Sequence, residues 1–295
     1  IYQRLRNYEA AVKSFEEALM IDSNHTLANY QLGLSYKEMG RHEDALKKFE
    51  KAVESDPRFS EAYYQRGFNF AYLKRYEKAI DPLKKAVNLN PNYSEAHYEL
   101  GIAYSHLNQY QKAIEALEQV VRINNLYAKG HLALGLALSK VKQYDQAIVH
   151  LQKALDLNPK LTKAYFPLGL SLIKMGRFED ASVPLNKTRI DNQDYPSVQN
   201  QLGMGFWKLK KYNEAINSFK KAIQSDPSLI TPYVNLGSLY TIIGKHPQAI
   251  QYLEESINRE PDNIKAHYNL GLVYEIVSRY QDAVGEYREV AQLNP

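Results

Sequence analysis

Glycine stands at positions 33, 67, 101, 135, 169, 203, 237 and 271, and alanine at 11, 45, 79, 113, 147, 181, 215, 249 and 283, so that both recur every 34 residues. A chain built this way is one supersecondary unit copied along its length, and a period of 34 is that of a stacked helix-turn-helix. The copies can be read against one another, with slots numbered 1 to 34 and the glycine at slot 8. Slot 7 is mostly Leu, slot 11 mostly aromatic, slot 17 aromatic or His, slot 20 always Ala, slot 24 Phe, Leu or Tyr, and slot 32 often Pro. Slots 4, 7, 8 and 11 share one face of a first helix, and slots 17, 20, 24 and 27 one face of a second. A helical glycine costs roughly 0.5–1 kcal/mol against alanine, so a whole column of them predicts close approach of the two helices. Proline at slot 32 ends the second helix.

The full pattern, Leu32-Gly33, Tyr36, Ala45, Phe49 and Pro57 in one copy and Leu100-Gly101, Tyr104, Ala113 and Leu117 in another, resembles the tetratricopeptide repeat. It runs through all 295 residues without an insertion. The resemblance implies an all-α fold, a right-handed superhelical solenoid of antiparallel helix pairs. The expected organisation is one solenoid over 1–295, with repeats at 1–25 (partial), 26–59, 60–93, 94–127, 128–161, 162–195, 196–229, 230–263 and 264–295. Length alone suggests about two domains, but in a repeat array each unit contacts only its neighbours. The chain starts in mid-repeat and ends at slot 32 without a polar cap, which predicts a segment of a longer protein or ends covered by another chain.

Composition narrows the function classes. The chain has no cysteine, so disulfides, thiolate metal sites and cysteine nucleophiles are out, and a reducing, cytoplasmic setting is slightly favoured. A net charge of +4 gives no case for nucleic acid, and there is no run of apolar residues long enough for membrane insertion. His97, His131 and His267 all fall at slot 4, where other copies carry Tyr, and His42 and His246 fall at the aromatic slot 17; both sets read as packing or polar-tip residues. Gly203-Met204-Gly205 follows no strand and is not a phosphate loop. Asn24-His25-Thr26, Asn92-Tyr93-Ser94 and Asn186-Lys187-Thr188 fit a glycosylation triplet that matters only in a secretory setting. The chain is therefore expected to be non-catalytic and to need no cofactor or metal.

What varies between copies points to binding. The resemblance implies that slots 2, 5, 6, 9, 12 and 13 face a concave groove. Slot 9 is Leu34, Phe68, Ile102, Leu136, Leu170, Met204, Ser238 and Leu272, apolar in seven copies of eight. Slots 12 and 13 add Tyr72, Ile173, Trp207, Ile242 and Ile276. An extended apolar strip on an exposed face marks an interaction site. Slot 5 carries Tyr30, Tyr64, Tyr98, Leu132, Phe166, Val234 and Tyr268; with slot 1 as N-cap, slots 34 and 5 have the spacing of a hydrophobic staple, which is the preferred reading over groove contact. Charge changes along the lining, from Glu61, Glu95 and Glu99 to Lys129, Lys140, Lys163, Lys174 and Lys208. Lys140, Lys174 and Lys208 share slot 13 and would steer an acidic segment while the apolar slots supply affinity. The family's carboxylate clamp for chaperone tails is not matched, since slot 5 is never Lys and slot 9 is apolar; an asparagine ladder at slot 6 survives only at Asn235 and Asn269.

The sixth copy is irregular. Pro167 and Pro184 fall in its helices, slot 27 is Thr188, and a bend is expected near 184–196, although Pro82 shares slot 23 with Pro184. The function expected is a scaffold or adaptor holding an extended or helical segment of a protein partner, acidic where it meets the lysines. The alternatives are a substrate-recruiting arm of a larger, glycosyltransferase-like enzyme, and a scaffold that self-associates through its terminal repeats.

Overall fold

The computed structural model describes residues 8–188 and 194–294; residues 1–7, the 189–193 part of the expected bend, and Pro295 lie outside the described residues. The described residues form seventeen α-helices and one short 3-10 turn, with no strand among them. Contacts divide the chain into two units, Ile1–Lys160 and Leu161–Pro295. The first holds α1 (Tyr8–Ile21), α2 (Thr26–Glu38), α3 (His42–Ser55), α4 (Ser60–Tyr72), α5 (Tyr76–Leu89), α6 (Ser94–His106), α7 (Tyr110–Ile123), α8 (Ala128–Lys140) and α9 (Tyr144–Leu157). The second holds the turn Thr162–Ala164, then α10 (Tyr165–Lys174), α11 (Phe178–Asn186), α12 (Tyr195–Lys208), α13 (Tyr212–Ser225), α14 (Thr231–Ile242), α15 (His246–Arg259), α16 (Ile264–Ile276) and α17 (Tyr280–Leu293). Each complete repeat is a pair, a first helix that starts at or near slot 1 in all but α10 and ends at slot 13, and a second that starts at slot 17.

The glycine column does what its spacing predicts. A Cβ on Gly101 would lie 2.5 Å from Cγ of Leu117, on Gly33 2.7 Å from the Phe49 ring, and on Gly271 2.6 Å from the Tyr287 ring. In all eight copies slot 8 meets slot 24 in this way, so the absent side chain sets the distance between the paired helices. The slot 20 alanines from Ala45 to Ala249 are completely buried, as are Phe49, Leu83, Leu117, Leu151, Leu185, Phe219 and Leu253 at slot 24.

Each first helix ends on a residue with positive φ at slot 15. Three are glycines, Gly40, Gly176 and Gly244, and five are Lys74, Asn108, Lys142, Lys210 and Ser278. The next N–H reaches back to the slot 11 carbonyl, as in Arg41 to Tyr36 (2.8 Å) and Arg75 to Phe70 (2.8 Å), which is a Schellman closure. A left-handed L-residue costs roughly 1–2 kcal/mol, partly offset by the extra unfolded-state freedom of glycine. Lys142→Gly is expected to raise the melting temperature, with a net gain of up to about 1 kcal/mol. Second helices close differently. Asp56, Asn90, Asn124, Asn158 and Asp226 at slot 31 each accept from the backbone N–H two residues on, at 2.9–3.2 Å, turning the chain through the proline slot.

Two expectations about local structure change. The first helices α2, α4, α6, α8 and α16 begin at slot 1, so there slot 34 and not slot 1 is the N-cap; only His25 and Asn263 use a side chain at it, each accepting from the N–H three residues on. Pro167 does not sit in a helix interior. Its ring is incompatible with the Lys163 carbonyl in α geometry, and the first turn is instead 3-10, closed by Ala164 N–H to Leu161 (2.9 Å), which moves Pro167 into the first turn of α10. Pro82 is carried by a helix that still runs fourteen residues, whereas α11, with Pro184 at the same slot, stops after nine. The proline alone therefore does not end α11. Past it, Thr188 turns its hydroxyl back onto the Pro184 carbonyl (3.1 Å).

Candidate peptide-binding face

Within the first unit α4 contacts α6 and α6 contacts α8; within the second, α10, α12, α14 and α16 follow one another in contact. Successive second helices stand farther apart. These first helices therefore pack on one another from repeat to repeat, and slots 2, 5, 6, 9, 12 and 13 are the ones expected to line the face they share. In the first unit Leu34, Phe68 and Ile102 are half-buried, Leu136 is 38% exposed, and Lys129 and Lys140 are exposed. Tyr72 is 62% exposed with its ring 4.1 Å from that of His42. Lys37 lies over the Phe68 ring at 5.6 Å and donates to Gln65 (3.2 Å).

In the second unit Leu170 is half-buried, Met204 is exposed, and Lys163, Lys174 and Lys208 are exposed, with Lys174 donating to Gln201 (3.1 Å). Lys174 and Lys208 are on the contacting helices α10 and α12, while Lys140 belongs to the other unit. Two assigned residues behave otherwise. Ile173 is 7% exposed and belongs to the core, because slot 12 of α10 turns inward. Trp207 is only partly on the face: its indole stands edge-on to the buried Phe219 ring at 6.4 Å.

Slot 5 departs from the staple expectation. Phe59 pairs not with Tyr64 of the helix it caps but with Tyr30 of the preceding first helix, centroids 4.7 Å apart; Tyr93 meets Tyr64 at 4.8 Å and Tyr127 meets Tyr98 at 5.4 Å. With slot 34 as the N-cap, its ring packs back onto the preceding first helix. Three aromatic pairs thus follow one another along the first unit, and Glu61, Glu95 and Glu99 stand among them. Burial, then the carboxylates of Glu99 and Glu95, raise the Tyr64 phenol well above its ordinary range. Burial and the neighbouring Tyr127 and Glu99 push Tyr98 up to about 12. Glu99 is itself raised by burial. Slot spacing places these carboxylates and the slot 5 rings on the lining but does not give the ring pairs, each of which joins a first helix to the N-cap of the next.

The histidines serve the scaffold. At slot 4, Nε2–H of His97, His131 and His267 donates to the carbonyls of Pro91 (3.0 Å), Asn125 (3.0 Å) and Pro261 (2.8 Å), and Tyr233 uses its hydroxyl on Pro227 in the same way (3.2 Å). Slot 4 also faces slot 23: His131 Nδ1 is 2.9 Å from His150 Nδ1, His267 Nδ1 is 2.6 Å from Glu286, and the Tyr233 and Tyr252 rings are 6.4 Å apart. Among the described residues no cluster of three or more His, Asp or Glu could hold a metal ion, and no helix is long and apolar enough to cross a membrane.

The family described as tetratricopeptide repeat protein 21 C-terminal ARM domain matches residues 72–231, and tetratricopeptide repeat families match 1–25, 30–94 and 237–275. A crystal structure of MamA is 30% identical, with a TM-score of 0.52, over 55% of this chain and 95% of that one. The chain belongs to the tetratricopeptide-repeat family. Other solved members show the same likeness: MamA from Desulfovibrio magneticus RS-1 is 27% identical at a TM-score of 0.52, over 55% of this chain and 92% of that one. A tetratricopeptide repeat protein from Parabacteroides merdae ATCC 43184, 18% identical, shares the fold at a TM-score of 0.53, over 76% of this chain and 89% of that one. Comparison with curated proteins finds no match. As in any tetratricopeptide array, the repeat scaffold accounts for slots 8, 20 and 24 and leaves the inner slots to be explained.

Proposed function

We propose that this tetratricopeptide-repeat protein is a non-catalytic scaffold that holds an extended or helical segment of a protein partner against the inner faces of its first helices. The observation that carries this reading is the slot 9 row. Leu34, Phe68, Ile102 and Leu136 in the first unit, and Leu170, Met204 and Leu272 in the second, remain at least partly open to solvent, beside a slot 8 column that is fully engaged in packing. Stacked repeats expose an extended surface of this kind for partner binding. Affinity would come from the apolar row and from Tyr72 and Trp207, with Lys129, Lys140, Lys163, Lys174 and Lys208 at its polar margin.

The test compares capture of partners by the parent chain and by a Phe68→Ser, Leu136→Ser, Leu170→Ser variant. Trp207 is left intact because it leans on Phe219. Circular dichroism should show both proteins folded, and the variant should lose captured partners at least ten-fold, about 1.4 kcal/mol. Equal capture by both proteins would move the site off these faces. Light scattering of the purified chain over a range of concentrations separates peptide binding from self-assembly, which alone would raise the mass with concentration.

A further inference from the structure

We propose that the inner face of α4 and α6 is a subsite for a lysine or arginine side chain carried by the bound segment; this rests on the inner faces being the binding surface. The chemistry of this sector differs from the rest of the lining. The six inner slots of α4 hold Glu61, Tyr64, Gln65, Phe68, Ala71 and Tyr72, and those of α6 hold Glu95, Tyr98, Glu99, Ile102, Ser105 and His106, with no lysine or arginine among them. The nearby bases are occupied or set apart. Arg66, one slot on, turns to Glu50 at 2.5 Å, and Lys37 of α2 is held by Gln65 and Glu38 over the Phe68 ring. Lys129 of α8 is exposed and makes no ion pair with these carboxylates among the described residues.

Glu61 accepts from the Ser60 hydroxyl at 2.8 Å. Glu95 and Glu99 have no hydrogen-bond or ion-pair partner among the described residues, and Glu99 is half-buried beside the rings. A carboxylate withdrawn from water without a counter-ion is costly, and an arriving cation removes that cost. The rings complete the site. Tyr64–Tyr93 and Tyr98–Tyr127 offer π faces beside the same carboxylates, and neutral phenols keep those faces attractive to an ammonium or guanidinium group. A long aliphatic stem ending in a positive charge satisfies both features at once, with its methylenes on the rings and its head at Glu95 and Glu99. The segment expected from the lysines of the lining is acidic; over α4 and α6 charge complementarity asks for the opposite sign.

The probe is a randomised peptide display library selected on the full chain, with the best sequences then made as free peptides. Selected peptides are expected to be enriched in Lys or Arg, to lose roughly ten-fold or more in affinity when that residue becomes Gln, and to lose a similar factor on the Glu95→Gln, Glu99→Gln variant. Circular dichroism checks that this variant folds. Tyr64→Phe, which keeps the ring, should bind as the parent does. Peptides that bind without a basic residue, or that are indifferent to Glu95→Gln, Glu99→Gln while weakened by Phe68→Ser, would overturn the subsite and leave the groove. Selected peptides that are acidic, carry no Lys or Arg and are lost on Lys174→Gln, Lys208→Gln would do the same. If no peptide of any composition is retained, the groove reading fails and the subsite with it.

Discussion

Gly101→Val is expected to be the most damaging single change in the first unit. The new Cβ would fall 2.5 Å from Cγ of Leu117 and 2.8 Å from one of its methyl carbons, and valine adds two further carbons in the same place. Leu117 is fully buried in the α6–α7 pair and cannot move out of the way. Overpacking of this kind costs about 1–3 kcal/mol, occasionally more, whereas leaving glycine behind returns only about 0.5–1 kcal/mol of helix propensity. The clash wins. Chemical denaturation should show the loss as an earlier transition, and in a repeat array the damage should spread first to the adjoining pairs. Gly101→Ala should cost less, and adding Leu117→Ala to Gly101→Ala should cost less than the sum of the two single changes, because alanine at slot 24 leaves room for the Cβ at slot 8. Additive losses would mean that the glycine serves something other than helix approach.

The second large effect is a pH dependence of opposite sign at two histidines. In the α8–α9 pair the Asn125 carbonyl can only accept, so His131 carries its proton on Nε2 and offers the Nδ1 lone pair to Nδ1–H of His150. Both rings are then neutral, and burial depresses the affinity of each for a further proton; Lys153 adds to this at His131 and His131 adds to it at His150. The unfolded chain binds protons more readily there, so stability is complete above the ordinary histidine range and falls as pH drops below about 6.5. His267 is the reverse. Burial works against its charge, but hydrogen bonds to Glu286 and Pro261, with the nearby charges of Glu286 and Glu289, outweigh it and raise the pKa. Both ring nitrogens face acceptors, so the charged form is the one held, and its contribution is present below about 6.5 and lost as pH rises through the raised value. Hydrogen exchange at pH 5.5 against pH 8 should therefore show α8–α9 losing protection in acid and α16–α17 losing it in base. His131→Tyr, which can keep the bond to the loop carbonyl as Tyr233 does, should flatten the acid loss. An unchanged profile would mean the pair does not titrate.

The helix pairs, their order and the slot 8 approach were legible because each depends on residue size at a fixed spacing, and eight copies repeat the same signal. The first-helix closure was not. A left-handed residue is announced by glycine, and five of the eight positions carry Lys, Asn or Ser, held there by the helices on either side. Pro167 misled for a related reason: a proline in a helical register can shift the start of the α-helix past a 3-10 turn instead of kinking it. Slot 9 was singled out by its apolar row, and the structure leaves those side chains at least partly open to solvent. The slot pattern failed at Ile173, which is buried, and at Trp207, which leans on Phe219, and it did not give the aromatic pairs of slots 5 and 34, which join one first helix to the start of the next.

Those pairs bear on cooperativity. Tyr30–Phe59, Tyr64–Tyr93 and Tyr98–Tyr127 each tie one first helix to the N-cap of the next first helix. Slot 8 sets how firmly a repeat holds itself; these rings set how firmly it holds its neighbour. Removing them would leave each helix pair of the first unit nearly as sound as before and make that unit melt pair by pair instead of as one body.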